Sequence, residues 1–330
     1  MFRPAHSRFE VSRRTLLAAA PAFAVTGVAS AQQTGTRIQT PAEAEQQFYA
    51  DLPLDAWTDA YGRPTARVMI DGFGPFRFLV DTGSTTTVIA ARHAAAMKTP
   101  IIGLATVNGT TGAAEMPVAH VSRLETGVVD RENFRVAVLS DMGLAREDGI
   151  LGADVFAGRR LSFDIQSKSV RVEGSQRQTR VALKSNMRVR NGLLAEIDGR
   201  VGTIPVRLML DTGAQHCIAN IPLQRAIERT YPKQPRVNRI RVVGVTGHVI
   251  VGDFFELPKV DFRKFVVKDA GAVAADAPIF KLWGLDTDPA MIVGVNLLSR
   301  LASFSIDYGA RVFDAELMAA AIANGDLRLG

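Results

Sequence analysis

Two aspartates stand where a folding chain rarely places a charge. Asp81 follows Phe76-Arg-Phe-Leu-Val80 and opens Asp81-Thr82-Gly83-Ser84. Asp211 follows Ile204-Pro-Val-Arg-Leu-Met-Leu210 and opens Asp211-Thr212-Gly213-Ala214. Asp, Thr and Gly all favour turns, so one such tripeptide says little. A carboxylate directly after an apolar strand says more, because burying it costs free energy unless hydrogen bonds, a counter-charge or a raised pKa compensates. No lysine or arginine lies within three residues after either motif. Two carboxyls brought together would share one proton, since like charges at close range do not both ionise cheaply. One then serves as a base toward water while the other serves as an acid.

Bringing two such groups together calls for two copies of one unit, and the sequence carries an internal repeat. Each aspartate motif ends a pattern of strand, Asp-Gly turn and strand, with Asp71-Gly72 in the first copy and Asp198-Gly199 in the second. The strand before each aspartate is nearly all apolar, as in a strand covered on both faces. Glycine-punctuated hairpins follow at Asn108-Gly109-Thr110-Thr111-Gly112 and Gly244-Val245-Thr246-Gly247. Next come Ile150-Leu151-Gly152 and Ile292-Val293-Gly294, each before a short helical stretch and a strand. Four landmarks in one order predict an all-β fold of two duplicated lobes with a few short helices. The first lobe is expected at 63–173 and the second at 191–316. Residues 174–190 hold Arg177, Arg180, Lys184, Arg188 and Arg190 and no acid, and read as a solvated connection or an edge strand. Short helices are expected at 41–52 and 315–325, the latter leading into a C-terminal helix or tail at 317–330.

Composition bounds the function. The 330 residues are 47% apolar and 22% charged, with one cysteine, Cys217, so no intramolecular disulfide exists. Of the net charge of +6, half comes from Arg3, Arg8, Arg13 and Arg14 against Glu10. The remainder is too weakly basic for a nucleic-acid binder. Arg13-Arg14 precede a short alanine-rich apolar run, and Ala29-Ser30-Ala31 closes it. Residues 1–31 therefore read as a secretory signal that resembles the twin-arginine type. An ordinary secretory signal and a retained anchor are the alternatives. Export to the periplasm, or secretion, is expected, with no stable membrane insertion after cleavage. Residues 32–62 contain one base, Arg37, against five acids. That argues against a basic prosegment over an acidic pair, and the segment is expected to pack on lobe one and stay attached.

The paired Asp-Thr-Gly and apolar-apolar-Gly motifs together resemble the aspartic proteases of the pepsin and retropepsin superfamily, in a single-chain bilobal form, over about residues 63–316. The resemblance implies that Asp81 and Asp211 are the catalytic pair. It implies that Thr82 and Thr212 interlock beneath them, and that Gly83 and Gly213 admit close backbone approach. Ser84 and Ala214 complete the loops, with the Ser84 hydroxyl expected to donate to Asp81. Gly152 and Gly294 would lie where a second strand passes each catalytic loop. The hairpins at Gly109, Thr110, Thr111, Gly112 and at Gly244, Val245, Thr246, Gly247 would be flaps over an extended polypeptide. Pepsin flaps carry a tyrosine, and none of the four tyrosines falls in either hairpin, so two retropepsin-like flaps are expected.

The implied activity is endopeptidase cleavage by a water activated between Asp81 and Asp211, with the protonated aspartate polarising the carbonyl and later supplying a proton to the leaving nitrogen. The alternative is a protein of the same fold that binds peptide without cutting it. No Gly-x-Ser-x-Gly or His-Glu-x-x-His motif points to another hydrolase. His216 and Cys217 are neighbours on a strand and would face opposite ways. His93, His120 and His248 are scattered, and no metal or cofactor is expected. Both halves sit in one chain, so a monomer is expected.

Overall fold

The computed structural model describes residues 59, 62–127, 129–140, 144, 146–175, 183–233, 236–318 and 327–329. All of these lie in one compact unit, Ile38–Gly330. The signal region and the expected helix at 41–52 lie outside the described residues.

The first lobe begins with a hairpin of β1 (Thr65–Ile70) and β2 (Phe73–Val80). Its turn is Asp71-Gly72, with φ of 51° and 79°. Two successive left-handed residues are what a two-residue hairpin turn of this hand requires, and Asp-Gly supplies them at low cost. The lobe continues with β3 (Val88–Ala90), β4 (Ile101–Gly109), β5 (Gly112–Thr126), β6 (Val129–Leu139) and β7 (Gly149–Leu151). The sheet order is β1-β2-β7-β3-β6-β5-β4. A further pairing of β1 with β5 closes six of these strands into a barrel, and β4 stands outside it. A closed barrel leaves no edge among those six strands. Val68, Ile70, Phe78, Leu124, Val136 and Leu151 fill the interior.

The second lobe repeats the order. Its strands are β11 (Leu194–Val201), β12 (Ile204–Leu210), β13 (Cys217–Ala219), β14 (Arg236–Val243), β15 (Val249–Glu256), β18 (Gly271–Ala274) and β19 (Ala290–Val293), arranged β14-β15-β18-β13-β19-β12-β11. Each strand has its counterpart in lobe one. The lobes differ where the barrel closes: β11 pairs with β16 (Val260–Asp261), which continues through β17 (Phe265–Val267) to β22 (Leu327–Leu329). The two halves share a third layer, β10-β21-β20-β8-β9, formed by β8 (Arg159–Asp164), β9 (Ser169–Gly174), β10 (Lys184–Arg190), β20 (Leu301–Asp307) and β21 (Val312–Leu317). Here β8 of the first half pairs with β20 of the second, and the rings of Phe163 and Phe304 stack at 4.5 Å across that seam. Four short helices accompany the strands among the described residues: α1 (Ala91–Ala96), α2 (Ile221–Thr230), α3 (Pro278–Leu282) and α4 (Val295–Leu298). The predicted all-β, two-lobed class is the observed one.

Three local expectations are corrected. Asp198-Gly199 is not a turn. Both residues lie inside β11, opposite Arg207 and Val206, and the chain reverses at Gly202, φ 60°. Gly199 is needed there for packing, since a Cβ would lie 2.6 Å from the Asp261 carbonyl oxygen of β16. The stretch 184–190 is a strand rather than a wet connection: β10 pairs through Lys184–Asn186 with β21 and through Met187–Arg190 with β11, with Ser185 and Met187 buried. Residues 176–182 of that expected connection lie outside the described set. Finally, Ala315–Leu317 belongs to β21 and 327–329 to β22, so neither the start of the expected helix nor the end of the tail is helical. The central part, 319–326, is not among the described residues.

Candidate functional site

Each aspartate is delivered by a central strand. β7 lies between β2 and β3, pairing parallel to β2 with Val80 opposite Leu151. β19 lies likewise between β12 and β13, with Leu210 opposite Val293. The Asp81 amide donates to the Leu151 carbonyl (3.0 Å) and the Asp211 amide to the Val293 carbonyl (3.1 Å). Gly152 and Gly294 follow those carbonyls. A Cβ on Gly152 would sit 2.7 Å from the Thr86 backbone, and one on Gly294 would sit 2.7 Å from His216 and 2.8 Å from Ala214. Glycine is thus required where the threading strand passes each loop.

The loops meet about a local twofold. The Thr82 hydroxyl donates to the Leu210 carbonyl (2.9 Å), and the Thr212 hydroxyl donates to the Val80 carbonyl (2.6 Å). Each hydroxyl also accepts the other threonine's amide, at 3.2 and 3.1 Å. Both threonines are fully buried. This reciprocal set ties the two halves beneath the carboxyls. Gly83 lies against the Asp211 carboxyl and Gly213 against the Asp81 carboxyl, each so closely that any Cβ would come within 2.4 Å. The Gly83 and Ser84 amides donate to Asp81 Oδ1 at 2.8 and 3.0 Å, and those of Gly213 and Ala214 donate to Asp211 Oδ1 at 2.9 and 3.0 Å.

The Ser84 hydroxyl does not touch Asp81, contrary to the sequence expectation. It donates to the Thr86 carbonyl at 2.8 Å, closing its own turn. Ser84 and Ala214 therefore serve their aspartates identically, through backbone amides.

The two carboxyls face each other across the twofold, each set against the glycine of the opposite loop. Burial raises Asp81 above the ordinary carboxylate value, while its neighbour Asp211, the two amides and the Arg63 charge oppose that rise. Asp211 stands well above the ordinary value, first through burial and then through the negative charge of Asp81. The pair therefore titrates as a unit, with a single proton shared between the two carboxyls favoured over both being ionised.

A supporting pair repeats the symmetry and escaped the sequence reading. Asp154 accepts from the Thr87 hydroxyl (2.7 Å) and amide (2.9 Å). Asn296 accepts from the Cys217 amide (2.9 Å) and thiol (3.2 Å) and donates to Gly271 (2.9 Å). Each stands two residues after its threading glycine, and that shared spacing was the available signal. Burial pushes the Cys217 thiol up to about 12. Cys217 is thus a protonated packing group, and no bond joins it to His216, whose ring instead meets Phe254 edge-on.

The two hairpins also meet. Thr110-Thr111 cap β4 and β5 between Gly109 and Gly112. Thr246 donates to the Gly112 carbonyl (3.1 Å), and Thr111 donates to the His248 carbonyl (2.9 Å). Gly109 and Gly244 pack against Thr246 and Thr111, with no room for a side chain at Gly244. Val245 crosses to pack on the lobe-one apolar cluster with Val107 and Ala114. Of the expected flap residues, Thr110 and Gly247 make no cross-hairpin bond among the described contacts; Gly247, φ 79°, forms the turn. In lobe two, Ala214 beside Asp211 shares an apolar cluster with Val242 and Ile250 of the hairpin and with Phe280 and Trp283. An apolar wall thus connects the lobe-two carboxyl loop to its hairpin. No group of three or more metal-ligating side chains occurs among the described residues. His93 bonds Asp148 at 2.7 Å, and His248 lies on the exposed hairpin.

The sequence matches the family described as Aspartyl protease over residues 66–155 and 195–297, more than half of the chain. The two matched segments are the two lobes just built. The chain belongs to the aspartyl protease family. Among curated proteins none matches the sequence.

Proposed function

We propose that the protein is an active aspartic endopeptidase that cuts extended polypeptide, and that Asp81 and Asp211 are its catalytic residues. One observation carries the reading: two intact carboxyls meet at the local twofold, each fixed by two backbone amides and set against the glycine of the opposite loop.

In the proposed reaction, Asp81 takes a proton from water as the water oxygen bonds to the peptide carbonyl carbon. Asp211 donates its proton to the carbonyl oxygen. As the C–N bond breaks, Asp81 gives its proton to the leaving nitrogen while Asp211 takes one back from a hydroxyl of the tetrahedral gem-diol, which restores one proton on the pair. Both carboxyls lie above the ordinary range, so the singly protonated window opens above that range and extends upward. The apolar cluster beside the Ala214 loop favours apolar side chains beside the cut. The hairpins would have to part for a chain to enter.

The same reading places the enzyme in the periplasm or outside the cell, delivered by the twin-arginine signal. Substituting lysine at Arg13 and Arg14 should strand the precursor in the cytoplasm; normal export would redirect the proposal to the ordinary secretory route. Retention of residues 32–62 is supported at their far end, where buried Asp59 bonds Arg63. The enzyme is expected to act as a monomer without metal or cofactor. Incubation with a peptide library, with and without pepstatin, tests the activity: pepstatin-sensitive cleavage supports it, and peptide binding without cleavage favours the non-catalytic reading.

A further inference from the structure

The two amide pairs, the two threonines and the two glycines treat the carboxyls alike, so whatever distinguishes them must come from beyond the two loops. Thr65 stands opposite Leu79 in the first hairpin, and Glu196 stands opposite Met209 in the second. Leu79 and Met209 each precede their aspartate by two residues. Two residues before Thr65 is Arg63, and two before Glu196 is Leu194. One register position thus holds a cation in lobe one. In lobe two it holds a buried leucine within an apolar cluster.

Arg63 crosses the twofold. Its Nη1 donates to the Gly213 carbonyl at 3.2 Å, in the loop of the opposite lobe. Gly213 is the residue that backs directly onto the Asp81 carboxyl. The guanidinium is mostly buried and braced from behind: Nε bonds Asp59 Oδ2 at 2.5 Å, and Nη2 lies 3.8 Å from Glu147 Oε2. Both acids are themselves buried. A planar guanidinium can hold a carboxylate and a carbonyl at once, and lysine cannot reproduce that fork. Leu194 offers Gly83 nothing comparable.

We propose that Arg63 is a positioning residue for the carboxyl pair, holding the Gly213 loop against Asp81 and supplying the one-sided charge that makes Asp81 the base and Asp211 the acid. The inference rests on the peptidase reading. Among the described residues Tyr308 and Cys217 also lie within the field of the carboxyls and are protonated and uncharged, while Asp59 and Glu147 stand behind Arg63 and are its own partners. Of these groups Arg63 alone is positive.

The test is a carbon-13 titration of the aspartate carboxyls in the exported chain, with Asp81 and Asp211 assigned by loss of signal in Asp81→Asn and Asp211→Asn. It reads the pair whether or not the protein cuts peptides. In Arg63→Gln the lower apparent pKa of the pair should rise by up to about one unit, because a nearby cation favours the ionised form. The acid limb of kcat/KM should move to higher pH by the same amount. Arg63→Lys, which keeps the charge, should recover most of that shift. Arg63→Gln also removes the ion pair of the buried Asp59 carboxylate, so Asp59→Asn with Arg63→Gln is the arm that protects folding. It should show an upward shift of the same sign. A lower pKa unmoved in both Gln variants, or shifted equally by Lys and Gln, would overturn the proposal and leave Arg63 a structural tie. Moved carboxyls without peptide cleavage in the parent would uphold Arg63 and sink the peptidase reading. Cleavage with unmoved carboxyls would do the reverse.

Discussion

Thr212→Ala removes one hydroxyl that serves both lobes. Its oxygen donates to the Val80 carbonyl and accepts the Thr82 amide, in a site closed to water. The variant loses a hydrogen bond worth about 1 kcal/mol and strands a buried N–H, which costs about 1–3 kcal/mol more. The expected loss is about 2–4 kcal/mol. Thr212→Ser keeps the hydroxyl and loses one methyl, about 1 kcal/mol. Urea unfolding followed through the buried Trp283 should separate the two, and Tm should fall roughly 4–10 °C for alanine against about 2 °C for serine. Thr82→Ala should behave like Thr212→Ala. The Thr82 hydroxyl donates to the Leu210 carbonyl and accepts the Thr212 amide, a separate but equivalent pair of bonds. Equal stability of the alanine and serine variants at either position would refute the reciprocal tie.

Two further predictions concern groups away from the carboxyl pair. Asp148 is held at about 2: burial would raise it, but bonds from His93, the Arg77 amide and Arg92 outweigh that effect. A folded value below the unfolded one stabilises the fold above the unfolded value, so Asp148 contributes about 2 kcal/mol at neutral pH, lost as pH falls from about 4 to 2. Asp148→Asn should be less stable than the parent by about that amount at pH 7, and the difference should vanish near pH 2; a gap independent of pH would contradict this. The Tyr308 hydroxyl is buried with no hydrogen-bond partner, and burial together with the nearby carboxyl pair pushes its pKa upward. Tyr308→Phe should be neutral or stabilising by up to about 1 kcal/mol in thermal unfolding; a clear loss would show that the hydroxyl has a partner.

The parts of the fold governed by local rules were legible in the sequence. Apolar runs before each aspartate became the central strands, and Asp71-Gly72 became the turn its backbone preference requires. The second Asp-Gly misled because β16 lies against Gly199, and that contact comes from residues some sixty positions away. β10 was hidden by its charges. Arg188 and Arg190 look like wet positions, yet both pair with Glu196 of β11, which is buried. The missing acids of that basic stretch were on the neighbouring strand. Ala315–Leu317 has helical composition, and pairing with β20 overrides it. At the site, the aspartates, threonines and glycines announced themselves through the repeat. The role of Ser84 did not, because hydroxyl direction is decided by a turn two residues on. Arg63 could not be found locally at all, since its partner in the opposite loop lies 150 residues away.

The central claim is that one ionised and one protonated carboxyl together cut a peptide bond. Its most direct test is turnover of a cleavable peptide by the parent, Asp81→Asn and Asp211→Asn, each checked for an unchanged fold. Removing acid–base help alone costs about 10²–10⁴-fold, and each variant should lose at least that while still binding the peptide. Near-parental turnover by either variant would contradict the account.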